Sequence, residues 1–171
     1  RFSFNQIARY PLEGVARDKV TAYRFPEDAI EELMAPMADV HARRGDRYVG
    51  CDVSPCGFEM YWRLRGMEDA LLDFAVDPSL ADTMIGRCAD FADRLAGEAI
   101  ERFELDWLWT GDDVASQDGM IISPEQWRET VKPHLARVFR RGIDAGLPIA
   151  YHCCGALRPI IPDLVEIGCT V

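Results

Sequence analysis

The stretch "PIAYHCCGALRPIIPDL", residues 148–164, places His152 and Cys154 two positions apart where a short apolar run ends. In an extended segment side chains alternate, so these two point to one face and Cys153 to the other. An imidazole nitrogen and a thiolate sulfur on one face suit Zn²⁺, a borderline-soft ion that takes both. Catalytic zinc takes about three protein ligands and an open position. The further donors in this chain are Cys51, Cys56, Cys169, Asp112 and Asp113. The competing reading makes His152 a hydrogen-bonded pocket residue and the two cysteines small residues beside a turn at Gly155.

A second group follows another apolar run: Asp112, Asp113, Gln117 and Asp118 in "TGDDVASQDG". Adjacent carboxylates point in different directions, so they are not automatically an acid/base pair. One of them suits binding substrate or orienting a metal-bound imidazole, which makes Asp112 and Asp113 the catalytic candidates and Gln117 a substrate contact. An Asp-rich loop that caps a helix, with Asp118-Gly119 as a turn, explains the same residues. Tyr61 and Trp62 in "FEMYWRLRG" could wall a pocket for a flat or apolar substrate, against a satellite core built from the same aromatics. Arg158 could meet an anionic group, against a surface ion pair. In "GCDVSPCG", Cys51, Asp52 and Cys56 could contribute to a site, against "SPCG" read as an ordinary loop.

The elements that must position these residues alternate. Residues 1–26 are proline-punctuated and aperiodic. Residues 27–43 have helical spacing, with Pro36 implying a kink or break. "RYVGCDV" (47–53), "LDWLWTG" (105–111) and "LPIAYH" (147–152) read as short buried strands, and "GCTV" as the start of a fourth. Between them, "MEDALLDFAV" and a long segment opened by Asp77 and Pro78 read as helices. Ser123, Pro124 and Gln126 form a capping box for the next helix, which Gly146 closes. A last helix is expected from about Pro159 to Ile167. Strands that are continuous apolar runs separated by helices predict an α/β fold with parallel strands. In such folds ligands bind at the C-terminal strand ends, which is where all three polar groups fall. Four strands correspond to about half of a closed eight-unit barrel or to a small open sheet.

The chain has 171 residues and a formal net charge of −10. That charge argues against nucleic acid or an anionic membrane as partner, since both require a basic surface. No run approaches the roughly 18 apolar residues of a membrane-spanning helix, so a cytoplasmic location is expected. Six cysteines in a chain with a substantial core are expected to be reduced. The start at Arg1 and the end within a strand-like "GCTV" suggest the central part of a longer domain.

"DWLWTGDDVASQDGMIISPEQWRETVKPHL" followed by "HCCGALRPIIPDLVEIG" resembles the uroporphyrinogen decarboxylase superfamily, and within it the cobalamin-dependent methyltransferase branch, well over residues 46–171 and weakly over 1–45. The resemblance implies a (β/α)₈ TIM barrel of which residues 1–171 are a single, partial domain. It implies that His152 and Cys154 are two zinc ligands, with a further cysteine from a later strand. It also implies a thiol activated by zinc that accepts methyl from a corrinoid held on a partner protein, or transfer of methyl from a small-molecule donor to the corrinoid. The decarboxylase branch is the alternative: a metal-free carboxy-lyase in which an Asp steadies a developing pyrrole cation and arginines hold the tetrapyrrole's carboxylates. Its arginine-rich N-terminal signature is not found here. A third possibility is a non-catalytic barrel that binds a corrinoid or tetrapyrrole.

Overall fold

A computed structural model describes residues 7–26 and 28–171. The first six residues of the expected irregular lead-in, and residue 27 of the expected helix, lie outside the described residues. The lead-in contains one short helix, α1 (Arg17–Thr21). Next come α2 (Ala29–Ala42), β1 (Gly50–Asp52), α3 (Phe58–Arg65), α4 (Met67–Val76), α5 (Pro78–Arg102) and β2 (Trp107–Gly111). A short α6 (Pro124–Gln126) runs through a π turn at Trp127–Val131 into α7 (Lys132–Asp144). β3 (Ile149–His152), a 3₁₀ turn at Arg158–Ile160 and α8 (Ile161–Glu166) complete the order. α2 continues as one helix through Pro36, so the chain does not break there.

The three strands form one parallel sheet in the order β1-β2-β3. The expected α/β class therefore holds, whereas a closed eight-unit barrel is not formed by the described residues. "GCTV" is not a fourth strand. Its backbone lies beside β3 and bonds to it, Thr170 N–H to Ile149 O at 2.8 Å and Tyr151 N–H to Val171 O at 3.2 Å, without becoming a ladder.

Register sorts the strand residues onto two faces. Cys51, Leu108 and Ile149 are mutually opposite and all buried. They join the core under α5 and α7, the latter contributing Leu135, Val138 and Phe139. Gly142 permits that approach, because a Cβ there would lie 2.5 Å from Ile149 Cδ1. Outside, a His134–Asp82 hydrogen bond (2.9 Å) and the ion pairs Arg137–Asp90 (2.7 Å) and Arg141–Asp93 (2.6 Å) link α7 to α5. The opposite face of the sheet carries exposed Asp52 paired with half-buried Trp109.

Helix α3 was not legible as a helix. Its N-cap is Gly57, with no side-chain cap of its own, and its acceptor comes from far along the chain, as described below. Near its C-terminal end, the buried Arg65 guanidinium binds Asp73 Oδ2 at 2.9 Å and the carbonyls of Leu12 and Val15 at 2.7 and 2.8 Å. This network fastens the N-terminal segment to α3 and α4. No helix among the described residues is long and apolar enough to cross a membrane.

Candidate metal centre

β3 delivers His152 to its C-terminal end, and the chain then turns so that Cys154 returns to the same side. The two side chains meet, His152 Nε2 lying 3.2 Å from Cys154 Sγ. Both residues are exposed, while Cys153 is half-buried and packs against the core, as strand alternation predicts. Neighbouring glycines let the strand ends converge. At Gly111, opposite His152 in the register, a Cβ would lie 3.0 Å from His152 O. At Gly155 it would lie 2.2 Å from Ala115 O, so the turn after Cys154 sits directly on the loop after β2. Two bonds secure that contact: Ala156 N–H to Ser116 O at 2.8 Å, and Gln117 Nε2 to Cys154 O at 2.9 Å.

The loop after β2 supplies a third donor. Asp113 Oδ1 accepts the Cys154 backbone N–H at 2.7 Å and lies 4.0 Å from His152 Nε2. One ligand atom from each of Asp113, His152 and Cys154 can be chosen so that all lie within 4.8 Å of one another. A carboxylate, an imidazole and a thiol so placed are a suitable donor set for zinc. The Asp113 carboxylate beside it holds the Cys154 thiol above the ordinary thiol range. The His152 ring is held by stacking on Trp109, with centroids 5.8 Å apart and planes at 23°.

The neighbouring Asp112 has a different place. It is fully buried, and its carboxylate accepts the backbone N–H groups of Gly57 (3.1 Å), Phe58 (3.0 Å) and Glu59 (3.0 Å), the opening of α3. Burial pushes this carboxyl up to about 7, against the three N–H donors, which favour its charged form. Asp112 is thus a helix cap delivered from another strand end, with no open face toward a substrate. Gly57 leaves room for it, since a Cβ there would come 3.0 Å from Asp112 Oδ2.

Several expected residues lie elsewhere. Tyr61 is not a pocket wall: it is completely buried and its hydroxyl bonds to Asp73. Trp62 is half-buried, with the Arg63 guanidinium 5.7 Å from its ring centroid. The aromatic surface beside the candidate site is instead Trp109, with Trp107 edge-on at 5.4 Å. Gln117 reaches the site through the Cys154 carbonyl. Arg158 is exposed at the first position of the 3₁₀ turn. Of the other candidate donors, Cys51 and Cys56 are buried, and burial raises both thiols, Cys51 to about 11. Cys169 places its sulfur near Val171 O, outside the donor cluster.

Two residues of the site were missed by reading the chain. Trp109 carries a signal, because it shares strand parity with Gly111, the partner of His152. Glu59 carries none: its carboxylate accepts the Asp113 backbone N–H at 3.0 Å across 54 positions of sequence.

No curated protein and no solved structure matches the chain. The family model for Uroporphyrinogen decarboxylase (URO-D) matches residues 50–171, a span that begins with β1 and includes all three strand ends. With well over half of its length matched, the chain belongs to the uroporphyrinogen decarboxylase family.

Proposed function

We propose that this chain takes part in zinc-dependent methyl transfer involving a corrinoid carried by a partner protein, with a thiol or a small methyl donor as the other substrate. The observation that carries the reading is the convergence of Asp113, His152 and Cys154, with one ligand atom from each within 4.8 Å of the others. His152 and Cys154 would hold the metal, and among the described residues Asp113 is a third donor within reach. Zinc at this position would lower the pKa of a coordinated thiol and so provide a thiolate nucleophile at neutral pH.

The protein's own part is to hold the donors in place. Trp109 fixes the plane of the His152 ring, Gln117 fixes the Cys154 carbonyl, and the Cys154 N–H orients the Asp113 carboxylate. Asp112 contributes by position, closing the start of α3 beneath the loop. Arg158, exposed after the turn, is available to an anionic group of a substrate or partner.

Metal analysis of the purified protein tests the reading. One zinc per chain is expected, lost in His152→Ala and Cys154→Ser, together with methyl transfer from a methylated corrinoid. Absence of stoichiometric zinc, or full methyl transfer by His152→Ala, would overturn it. Conversion of uroporphyrinogen to coproporphyrinogen by metal-free protein would replace it with decarboxylation.

A further inference from the structure

Glu59 is a buried acid whose position the proposed chemistry does not by itself explain. Its side chain is about 10 % exposed and ion-paired with Arg63 one turn along α3. A carboxylate in such a place is costly unless its oxygens are engaged. Oε1 takes the Arg63 guanidinium, and Oε2 takes the Asp113 backbone N–H at 3.0 Å. In the other direction, the Glu59 backbone N–H goes to Asp112 Oδ1 at 3.0 Å.

The two bonds are reciprocal. The carboxylate of Asp112 holds the backbone of Glu59, and the carboxylate of Glu59 holds the backbone of Asp113. This is the logic of a capping box, built here between a helix start and a loop more than 50 positions away. The peptide joining Asp112 to Asp113 is clamped between them. Asp113 is then held at two points, its N–H by Glu59 and its Oδ1 by the Cys154 N–H, which leaves its carboxylate facing His152 and Cys154.

We infer that Glu59 is a positioning residue for the metal centre, setting the backbone of Asp113 so that its carboxylate stands within reach of the same ion as His152 and Cys154. The inference rests on the metal reading above. Residues that orient metal ligands typically change affinity by about 10–100-fold when removed.

Zinc affinity, measured by competition with a chromophoric chelator, and the visible spectrum of the cobalt-substituted protein test it. Glu59→Gln keeps an oxygen acceptor for the Asp113 N–H and is expected to bind zinc within about threefold of wild type. Glu59→Leu removes the acceptor and is expected to lose about 10–100-fold in affinity, with shifted cobalt bands. Arg63→Met breaks the ion pair, keeps the acceptor, and should bind as wild type does. If Glu59→Leu does not fold, Glu59→Asp, which retracts the carboxylate by one methylene, should show a several-fold loss in its place. Wild-type affinity and cobalt spectrum in folded Glu59→Leu or Glu59→Asp would overturn the positioning role while leaving the metal reading intact, as would equal losses in Glu59→Gln and Glu59→Leu. No zinc binding by the wild-type protein would overturn both.

Discussion

The carboxylate of Asp112 accepts the backbone N–H of Glu59 at 3.0 Å, joining the end of β2 to the first turn of α3. With Gly57 and Phe58 it satisfies three N–H groups that a helix start leaves without intrahelical partners. Asp112→Ala would strand buried donors and is expected to destabilise the protein by about 3 kcal/mol. Asp112→Asn, which keeps one acceptor oxygen, should cost about half as much. Urea unfolding gives both values, and amide exchange should show the loss concentrated at the start of α3.

Tyr61 is expected to matter to stability alone. Its hydroxyl, buried against Asp73, belongs to the network that Arg65 completes. Tyr61→Phe should cost about 1.5–3 kcal/mol, the scale of a hydrogen bond to a charged group. Zinc affinity and turnover should not change. A changed KM would return Tyr61 to the substrate site.

Gly155 is held against the loop after β2, and a methyl group there would meet Ala115 O at 2.2 Å. Backbone cannot yield as a flexible side chain does, so Gly155→Ala should cost about 1–3 kcal/mol through overpacking. It should also weaken zinc binding, since the displaced turn carries Cys154. Thermal unfolding and chelator competition would measure the two effects.

Asp163 on α8 binds Lys132 Nζ at 2.8 Å and Arg128 Nε at 3.0 Å, and the Arg128 guanidinium, followed by Lys132, holds its carboxyl below the ordinary range. A carboxyl whose folded pKa is lowered stabilises the protein above its unfolded value, about 3.9. That contribution is lost as pH falls through the folded value. Asp163→Asn should therefore be less stable than wild type at pH 7, by about 1 kcal/mol. The gap should close on acidification below about pH 4. Denaturant titrations of both proteins across this range would check the sign.

The α/β alternation, the capping box at Ser123 and Gln126, and the His152–Cys154 pair were legible because each is written in neighbouring residues. Apolar periodicity locates α4, α5 and α7. The Ser123 hydroxyl and the Gln126 amide exchange their bonds within one turn. Strand alternation predicts His152 and Cys154 on one side and Cys153 on the other, and the turn after β3 keeps that arrangement.

Contacts between distant segments were not written there. Asp112 and Asp113 are adjacent and chemically identical, yet one is sealed against the N-terminus of α3 and the other faces His152 and Cys154. No local pattern separates them, because what distinguishes them is the approach of residues more than 50 positions earlier. α3 went unread for the same reason: its cap lies on another strand end, so the chain around Gly57 carries no start signal. The choice of Trp109 over Tyr61 and Trp62 as the aromatic beside the site likewise follows from sheet register, which sets what faces what only once β1, β2 and β3 are side by side. Types and spacing along the chain named the donors, and packing of the strand ends selected which of them meet.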